Sequence, residues 1–565
     1  MTHTFKAIAF LGLAVTQILA KDAFAQKAKP QAWPSTLPQV AAPTFKNDTL
    51  SITKNGAVND GLTLNTESIN KTIDQVSKNG GGVVLIPRGF WLTGPIELKS
   101  NVNLHLAADA YLSFTDDLSQ YKLIETNWEG LAAVRNQSPV SGTNLENIAI
   151  TGKGIIDGNG DAWRMVKKEK LTDSQWKKLL ASGGALSEDQ KIWYPSESSL
   201  KGSKIKGAGV IGPGKGIKDF EEIKDFLRPN LLVLTNCKRV LLEGVTFQNS
   251  PAWNVHPLMC EDLTVRDLQV KNPWYAQNGD GIDVESCKNV LIENSVFDVG
   301  DDGICIKSGR DEQGRKRGKP TENVVIRNCV VYHAHGGFVI GSEMSGGARN
   351  IYVSDCTFIG TDIGLRFKTT RGRGGIVENI FIKNINMKDI PGEAILFDMY
   401  YAAVDPVPLT GEKRDAPKVV LLPVTEETPQ FRNFYINNVV ADGAEKAIFV
   451  RGLPEMNINN LFMEDIIVQS KAGIKVEEAK DIYFKNVKVI STHSRPLVDV
   501  SNSTDISFDQ LSYKPGAEVL FNINGSKTAN IQVSNTDTSN AKAVSELNQQ
   551  ASKKALKIRT NYSKK

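Results

Sequence analysis

The sequence lacks the features that mark nucleic-acid-binding and zinc-binding proteins. Its 565 residues carry 67 lysines and arginines against 63 aspartates and glutamates, a formal charge of only +4. No basic surface for nucleic acid is therefore indicated. The six cysteines include no Cys-x-x-Cys pair, which argues against a zinc site. They fit either disulfides of an exported protein or small core residues, and both interpretations stay open.

Long apolar runs are also scarce, and the strongest one lies at the N-terminus. "AIAFLGLAVTQILA" follows Lys6 and is short for a membrane span. "AFA" at 23–25 fits a small-x-small cleavage site. We predict a signal peptide over 1–25 and a linker over 26–43. The mature chain is then expected in the periplasm or outside the cell, with no membrane association.

A short phrase recurs along the rest of the chain: asparagine, apolar, any residue, apolar, any residue, then Asn or Asp. Its alternation has period two, which predicts a strand in each copy. Most copies are about 21 to 34 residues apart, too close for propeller blades of about 40 to 45 residues. A coil this short buries its apolar face only by stacking on its neighbours. An all-β parallel β-helix is therefore predicted. The copies include "NIAITG" at 147, "NVLIEN" at 289, "NVVIRN" at 323, "NIYVSD" at 350, "NIFIKN" at 379, "NFYINN" at 433 and "NLFMED" at 460.

A second strand phrase follows the first in several coils, and its polar positions should stack in rows. It reads "DGIDVES" at 280, "DGICIKS" at 302, "GGFVIGS" at 336 and "IGLRFKT" at 363. The alternate positions are apolar and should face the core, so the polar rows should face outward. The predicted rows are Asp280 with Asp302; Asp301 with His335; Asp283 with Arg366; and Glu285 with Lys307 and Lys368, with His256 one coil earlier.

Several segments depart from the repeat. Residues 158–230 and 398–428 interrupt the rhythm and are predicted to be inserted loops, which often form walls or lids of a site. Within a catalytic domain over 44–540, residues 44–120 should cap one end of the solenoid. Residues 541–565 are polar and are predicted to be a C-terminal tail.

The predicted outer face gathers acids and cations that a hydrolase of acidic sugars would need. Crowded carboxylates cannot all ionise independently, so at least one pKa should rise. One neutral and one ionised carboxyl group are the pairing that glycosidic cleavage uses, and the cations could bind an acidic substrate. An Asp-Asp pair alone is as often a turn. The clustered residues are Asp280, Asp301, Asp302, His335, Arg366 and Lys368.

Four short motifs resemble those of a known family. "NGD" at 278–280, "DD" at 301–302, "HG" at 335–336 and "RFK" at 366–368 resemble the motif blocks of glycoside hydrolase family 28, the polygalacturonases of pectin breakdown. The resemblance extends over roughly residues 44–535. It implies a right-handed parallel β-helix and an inverting hydrolysis of α-1,4-galacturonosyl linkages. It implies no metal and no organic cofactor.

The resemblance also implies catalytic roles for four residues. Asp301 would be the general acid that protonates the departing oxygen. Asp280 and Asp302 would activate the attacking water, and His335 would tune the acid. The stacked rows place acid and base at different levels, which would leave room for that water. Two motifs depart from the family pattern: Asn-Gly-Asp stands in place of Asn-Thr-Asp, and Ala-His-Gly in place of Gly-His-Gly.

Substrate contacts are implied in the same way. Arg366 and Lys368 would grip the galacturonate carboxylate beside the scissile bond, and Asn278 would contact substrate. The further candidates are His256, Lys307, Tyr400 and Tyr401. The expected partner is an acidic polysaccharide or oligogalacturonide, bound by a monomer, and no nucleic acid is expected. The two inserted loops could close one end of the groove, which predicts exo action from chain ends.

Three alternatives stay open. Family members that act on rhamnogalacturonan tend to lack the histidine and the cation pair, so their presence here favours homogalacturonan. A pectic lyase can share a β-helix, and its calcium ligands would resemble these acids. A non-catalytic carbohydrate-binding β-helix would explain the solenoid but would leave the clustered acids without a role.

Overall fold

Most strands of the chain pair in parallel and stack into three columns, here named columns A, B and C. The computed structural model describes residues 31–403, 407 and 414–559. Its largest sheet contains 36 strands, and the predicted right-handed parallel β-helix is confirmed. The predicted signal peptide over 1–25 lies outside the described residues, and so do residues 26–30 of the predicted linker. In the described part of the chain, no helix combines the length and the apolarity needed to span a bilayer.

The asparagine-led phrase forms column A. Its strands are Thr49–Ser51, Gly82–Ile86, Val102–Leu106, Glu146–Gly152, Lys238–Glu243, Glu261–Arg266, Lys288–Glu293, Thr321–Arg327, Ala348–Ile359, Ile376–Asp398, Gln430–Arg451, Ile458–Glu477, Ala479–Ser491, Thr504–Asp509, Ala529–Ser534 and Leu556–Arg559. The five strands from Ala348–Ile359 to Ala479–Ser491 continue around the corners into the other columns.

Column B holds the short strands and column C holds the second phrase. Column B consists of Asp60–Leu64, Gly89–Thr93, Ala110–Phe114, Ile155–Asp157, Thr246–Gln248, Gln269–Lys271, Val296–Asp298, Val330–Tyr332 and Ser512–Tyr513. Column C consists of Ile96–Glu97, Val140–Thr143, Leu232–Thr235, Val255–Leu258, Ile282–Glu285, Asp302–Lys307, Gly336–Ile340, Leu365–Lys368, Val498–Ser501, Ala517–Asn524 and Ala541–Asn548.

The recurring asparagine has a local explanation. Asn289, Asn323, Asn350 and Asn379 all adopt positive φ angles of 55–59°, a left-handed conformation that asparagine tolerates better than most residues. The side-chain amides of Asn323, Asn350 and Asn379 each donate a hydrogen bond to the asparagine of the coil before, at 3.2–3.4 Å, and that of Asn289 donates to Asp262 at 3.2 Å. The asparagine therefore turns the corner into each column A strand and stacks on its equivalents.

The core lies inside the three columns and is filled by the apolar positions of the alternating phrases. Ile282, Ile304, Phe338 and Leu365 occupy one buried row of column C. All six cysteines are buried free thiols, so the interpretation as core residues holds and the disulfide interpretation does not. Burial of this continuous core is what stacks the coils.

Within the described residues, four α-helices and five 3₁₀ helices lie outside the coils. Helix Thr66–Lys78 buries Ile69, Ile73 and Val76 beside the first coils, within the segment expected to be a cap. The other α-helices are Asp173–Ala181, Glu197–Ser203 and Asp311–Arg317; the 3₁₀ helices are Ile52–Asn55, Leu118–Gln120, Gly160–Ala162, Lys168–Lys170 and Ile217–Phe226.

The segment 158–230 contains much of this helix. It also contains a small antiparallel sheet of strands Val166–Lys167, Ala185–Leu186 and Ile192–Tyr194. In the segment 398–428, residues 399–403 and 414–428 form no helix or strand. Neither stretch adds a coil to the solenoid before the next strand of the columns begins.

The C-terminal prediction differs from the structure. Residues 541–559 are not a tail, because Ala541–Asn548 pairs with Ala517–Asn524 and Leu556–Arg559 pairs with Ala529–Ser534. These two strands form the last coil. Their side chains are mostly exposed, since no coil within residues 31–559 covers them, and a polar outer face is what a terminal repeat requires.

Candidate active site

Column C carries the clustered residues, and its register brings them together. Asp283 lies level with Cys305, Val339 and Arg366 in successive strands, and Glu285 lies level with Lys307. Both of these predicted rows are confirmed. The polar positions alternate with core residues and point away from the core. The prediction that they lie outside the barrel therefore holds, but loops cover them: Asp280, Asp302 and Lys368 are each at most 5% exposed.

The predicted row of His256 is wrong by two residues. Val255 pairs with Ile282 and Leu258 pairs with Glu285, so His256 lies level with Asp283. A shift of two residues preserves the alternation of inward and outward side chains, so periodicity alone could not detect it. His256 nevertheless reaches Glu285, with 2.9 Å between Nε2 and Oε2.

Three carboxylates meet at the centre of the site. Asp280, Asp301 and Asp302 each contribute one oxygen to a group in which all oxygens lie within 4.8 Å of one another. Asp280 precedes the strand Ile282–Glu285, while Asp301 and Asp302 stand one coil later, at the start of Asp302–Lys307. Neighbouring coils are about 4.8 Å apart. Stacking therefore brings together acids that are about twenty residues apart in the chain.

Each acid of the second coil has a basic partner. Arg366 donates to Oδ1 of Asp302 at 3.2 Å, and Lys368 donates to Oδ2 at 2.7 Å. Nδ1 of His335 lies 3.2 Å from Oδ1 of Asp301. Because both oxygens of Asp302 are bonded to cations, Asp302 is held as a carboxylate.

These contacts separate the pKa values of the three acids. Burial, together with the charges of neighbouring acids, raises the pKa of Asp280 well above its usual range. Burial also acts to raise the pKa of Asp301, but His335, Lys368 and Arg366 more than offset it and the net pKa is lowered. The pKa of Asp302 is lowered in the same way by Lys368 and Arg366. The prediction that one carboxyl pKa rises is confirmed, and of the three acids Asp280 is the one whose surroundings favour the protonated form.

His335 has a second acidic neighbour that sequence reasoning missed. Oδ2 of Asp362 lies 3.7 Å from Nε2 of His335. Burial acts to lower the pKa of His335, but Asp301 and Asp362 offset it and the net pKa is raised. Asp362 immediately precedes "IGLRFKT". Extending the row of Asp301 and His335 by one coil would therefore have found it.

The other predicted contacts divide into two groups. Tyr401 lies beside the cation pair, with Lys368 Nζ 5.0 Å and Arg366 Cζ 5.7 Å from the ring centroid. Tyr400 instead faces Arg371 and Arg451, at 5.3 and 5.5 Å. Of the two tyrosines, Tyr401 is therefore the one that the structure brings to the cluster.

Lys307 and His256 are buried and engaged with the protein. Nζ of Lys307 lies 3.0 Å from Glu343 and 3.5 Å from Asp283. His256 contacts Glu285 and Asn230. Because their polar atoms already have partners in the protein, both residues are placed to hold the neighbouring acids in position.

Asn278 is held by an arginine from the end of the 158–230 segment. Arg228 donates to Oδ1 of Asn278 at 3.0 Å and to the carbonyl oxygens of Gln277 and Pro251 at 2.9 and 2.8 Å. Asn278 lies two residues before Asp280, and its φ angle is 54°. Arg228 therefore fixes the loop that positions Asp280.

A β-hairpin that the sequence analysis missed closes one side of the groove. Strands Leu123–Trp128 and Leu131–Asn136 pair antiparallel, and the hairpin tip docks on the loop after Asp302–Lys307. There, Glu129 pairs with Arg310 at 3.0 Å, and Gln313 accepts a hydrogen bond from the backbone of Ala132 at 2.8 Å. The hairpin also pairs with the 158–230 segment, where Val134 donates to the carbonyl oxygen of Gly209 at 2.8 Å.

This closure leaves a cavity of about 570 Å³ between the hairpin and the early strands of column C. Its lining includes Asn127 from the hairpin, Thr143 and Thr235 from column C, and Arg317 from the last α-helix. Arg317 also bonds Glu285 at 2.5 Å. The cavity therefore lies on the N-terminal side of the site, next to the pair of Arg317 and Glu285.

Cation binding by the acids would compete with their present partners. Asp280, Asp301 and Asp302 are close enough to share a cation. However, Lys368 and Arg366 already neutralise Asp302, and His335 faces Asp301. A hard cation prefers several free oxygen ligands, which this arrangement does not offer. That the chain uses no metal and no cofactor stays a prediction.

A fourth acid behind the site makes stability depend on pH. Burial raises the pKa of Asp283 to about 8, although Lys307 acts against it. Between the usual aspartate pKa and about 8, the folded chain holds a proton on Asp283 that the unfolded chain releases. We therefore expect the free energy of unfolding to fall as pH rises through this window, by about 1.4 kcal/mol per pH unit for one proton. Asp280 and His335 act in the same direction.

Urea unfolding of the wild type and of Asp283→Asn from pH 4.5 to 8 measures this slope. In the variant, the free energy of unfolding should fall less steeply with pH, by about 1.4 kcal/mol per pH unit, because the asparagine side chain binds no proton. Asp109→Asn is the matched control, because Asp109 is an exposed aspartate and its loss should leave the slope unchanged. Equal slopes for wild type and Asp283→Asn would contradict the prediction.

Comparisons with known proteins agree with this geometry. The sequence profile of glycosyl hydrolases family 28 matches residues 179–443. A probable polygalacturonase of Vitis vinifera is 28% identical over 430 residues, 74% of each chain. An exo-poly-alpha-D-galacturonosidase of Dickeya chrysanthemi is 28% identical over 361 residues, 62% of this chain and 57% of that protein.

A solved structure extends the likeness to three dimensions. A hyperthermoactive exopolygalacturonase from Thermotoga maritima is 31% identical, with a TM-score of 0.63, over 80% of this chain and 93% of that one. At this level of identity over nearly the whole length of the relative, the likeness covers the fold together with the columns that carry the site. The chain belongs to glycosyl hydrolases family 28.

Proposed function

We propose that this chain hydrolyses α-1,4-galacturonosyl linkages of homogalacturonan with inversion and releases galacturonic acid from chain ends. One observation carries the proposal: three carboxylates lie within 4.8 Å of one another beside a cation pair. The acids supply the proton transfers of glycosidic cleavage. Arg366 and Lys368 supply positive charge for the carboxylate of a uronate.

Substrate binding would place the proton where cleavage needs it. In the free site Asp280 is protonated and Asp301 is ionised, because Lys368, Arg366 and His335 lower the pKa of Asp301. A uronate carboxylate on Arg366 and Lys368 offsets two of those cations, so the pKa of Asp301 rises in the complex. The proton then moves from Asp280 to Asp301 within the carboxylate group.

The reaction then balances without another component. Asp301 gives its proton to the glycosidic oxygen as the bond to the anomeric carbon breaks. Water attacks that carbon from the opposite side and gives up a proton to Asp280, now ionised beside the carboxylate of Asp302. The proton returned to Asp280 restores the free site for the next cycle.

The stereochemical outcome rests on the family and not on the spacing. Carboxyl groups of inverting enzymes are typically about 6.5–9.5 Å apart, whereas the acids here approach within 4.8 Å. The approach of the nearest oxygens does not by itself give the separation of the carboxyl groups, so the room for water that the stacked rows predict stays a prediction. Inversion is kept because the family resemblance implies it.

Exo action is supported by the closure on the N-terminal side. The hairpin tip docks on Arg310 and Gln313, and the hairpin pairs with the 158–230 segment. A polymer lying along column C would meet this closure next to the acids.

We further propose that the chain is a monomer. We also propose that it is exported to the periplasm or the cell exterior, as its N-terminal sequence predicts.

Digestion of de-esterified polygalacturonate, with products sized over time, tests the function. We expect galacturonic acid from the earliest time points and a substrate whose length falls slowly. Early mixed oligomers would contradict exo action. Unsaturated products that vanish with a chelator would support a lyase instead, and the absence of any product would support a binding protein.

NMR of the same digest reads the anomer that forms first. Inversion of an α-linkage gives the β-anomer before mutarotation. The α-anomer as first product would contradict inversion while leaving hydrolysis intact.

A further inference from the structure

The hairpin carries a buried arginine whose charge is felt by Arg228. Arg135 lies in strand Leu131–Asn136 and is 5% exposed. Its guanidinium carbon lies 3.6 Å from the centroid of the Trp128 ring. Trp128 stacks on Trp253 at 5.5 Å, and Lys307 lies 5.0 Å from the Trp253 ring. Arg135 therefore lies on the hairpin that closes the groove, beside an aromatic stack that reaches Lys307 of column C.

Arg135 lacks the acidic partner that a buried arginine normally has. Among the described residues, no hydrogen bond or ion pair involves its guanidinium, and Nε is buried without a partner. Glu129, an acid near enough to act on its charge, pairs with Arg310 at 3.0 Å. Burial lowers the pKa of Arg135 to about 9, against the attraction of Glu129. A buried, unpaired cation is costly for the fold, and an anionic ligand would offset that cost.

The guanidinium group of the neighbouring Arg228, by contrast, already has hydrogen-bond acceptors. Arg228 donates to two carbonyl oxygens and to Asn278. Its positive charge acts on Asp280 and Asp301 as well as on Arg135. Arg228 thus positions the Asn278 loop and adds positive potential, while Arg135 is free to bind a ligand.

The two groups of cations lie on opposite sides of the acids along the solenoid. Arg228 precedes strand Leu232–Thr235, which lies two coils before Ile282–Glu285. Arg366 lies in Leu365–Lys368, two coils after Asp302–Lys307. The acids that would cleave the bond therefore stand between two positively charged subsites.

We propose that Arg135 binds the carboxylate of the uronate on the closed side of the scissile bond, while Arg366 and Lys368 bind the carboxylate on the other side. The inference rests on the proposed function. A guanidinium fork matches a carboxylate in a bidentate arrangement, and stacking on Trp128 fixes its plane. Arg135 is thus a specificity-determining residue that requires an acidic sugar at the chain end.

Digalacturonate and its two monomethyl esters test the proposal without knowledge of chain polarity. Each ester removes the charge of one uronate. In wild type each ester should lower kcat/KM by roughly ten- to hundredfold, the effect of losing one charged hydrogen-bonded contact. Arg135→Gln should lose discrimination against one ester and keep it against the other. Arg366→Gln should show the reverse pattern.

Controls separate recognition from folding. Arg327→Gln changes an arginine that pairs with Glu293 in column A, and it should keep both discriminations. Arg135→Gln loses the stacking on Trp128 but also removes a buried cation that has no hydrogen-bonded acid, so it should melt close to the wild-type temperature. Arg135→Lys keeps the charge without the fork and should retain part of the discrimination. If Arg135→Gln does not fold, full wild-type discrimination by Arg135→Lys at both uronates would overturn the proposal.

The outcomes also separate this inference from the function on which it rests. If wild type cleaves none of the three disaccharides and no longer oligogalacturonide, the proposed function fails. If wild type cleaves them and folded Arg135→Gln still discriminates against both esters, this inference alone is overturned. An equal loss on all three substrates would likewise overturn it, because that result indicates a general structural role.

Discussion

Asp301→Asn is expected to lower kcat by roughly 10²–10⁴-fold, the usual contribution of a general acid, while the affinity for oligogalacturonide stays close to that of wild type. The amide fills the same space but has no acidic proton for the departing oxygen. Nδ1 of His335 loses the negative charge 3.2 Å away that raises its pKa. The pKa of His335 should therefore fall, and His335 should titrate at lower pH in the variant. Steady-state kinetics, calorimetric binding and histidine NMR measure the three effects.

The chain offers a matched control for this substitution. Asp298 lies three residues before Asp301 and also faces a histidine, with 2.9 Å between its Oδ1 and Nδ1 of His333. That pair is about half-exposed and lies in column B, away from the three acids. Asp298→Asn should leave kcat unchanged. Unchanged turnover in Asp301→Asn would instead favour a non-catalytic carbohydrate-binding protein.

The leaving group gives a second check on the role of Asp301. A galacturonosyl fluoride departs with little need of protonation, so the loss caused by Asp301→Asn should shrink on that substrate. If the loss is equal on the fluoride and on digalacturonate, Asp301 does not act as the general acid. Asp280 would then be the better candidate, because its pKa is already raised in the free protein.

The fold could be predicted because its cause is local and repeated. Each asparagine-led phrase contains both the turn residue and the alternating strand, as the ladder from Asn289 to Asn379 shows. The same repetition brings Asp283 level with Arg366. A pattern that encodes the coil also encodes which distant side chains meet, so the rows of the site follow from it.

The register of His256 and the last coil depend on weaker signals. A two-residue shift keeps every core residue inside, so alternation allows both Val255 opposite Ile282 and Val255 opposite Val284. The segment 541–559 has few buried side chains, since only one face has a neighbour. Its strands are held by backbone pairing to Ala517–Asn524 and Ala529–Ser534. Because backbone pairing requires no particular side chains, the sequence pattern indicates these strands only weakly.

The closed side of the groove and the position of the proton are properties of the assembled structure. The hairpin Leu123–Asn136 is short and its strands resemble those of a coil; its role comes from contacts with Arg310, Gln313 and Gly209. Likewise, Asp280 and Asp301 are the same residue type. Only burial and the distances to His335 and Lys368 raise the pKa of one and lower the pKa of the other. Sequence can list such acids but cannot assign the proton.

Lys368→Met is expected to lower both stability and activity. Nζ of Lys368 lies 2.7 Å from Oδ2 of Asp302, and both side chains are nearly fully buried. Removing one partner of a buried ion pair typically costs about 3–5 kcal/mol, because the other charge stays buried. Lys368 is also the first of the cations that lower the pKa of Asp302, so that pKa should rise. Urea unfolding and the acidic limb of the pH–rate profile measure these two effects. In Lys485→Met, which removes a half-exposed partner of Glu464, stability should fall by less than about 1 kcal/mol.

A substrate comparison separates the structural and binding roles of Lys368. If the ammonium group binds a uronate carboxylate, Lys368→Met should lower kcat/KM on digalacturonate by at least about thirtyfold, since losing a buried charged partner costs about 2–5 kcal/mol. On the monomethyl ester that Arg366→Gln no longer distinguishes, the variant should lose much less, because that substrate has no charge for Lys368 to bind. A purely structural role would lower both rates by the same factor. Equal losses would therefore leave Lys368 as a support of Asp302 and would remove it from the uronate subsite.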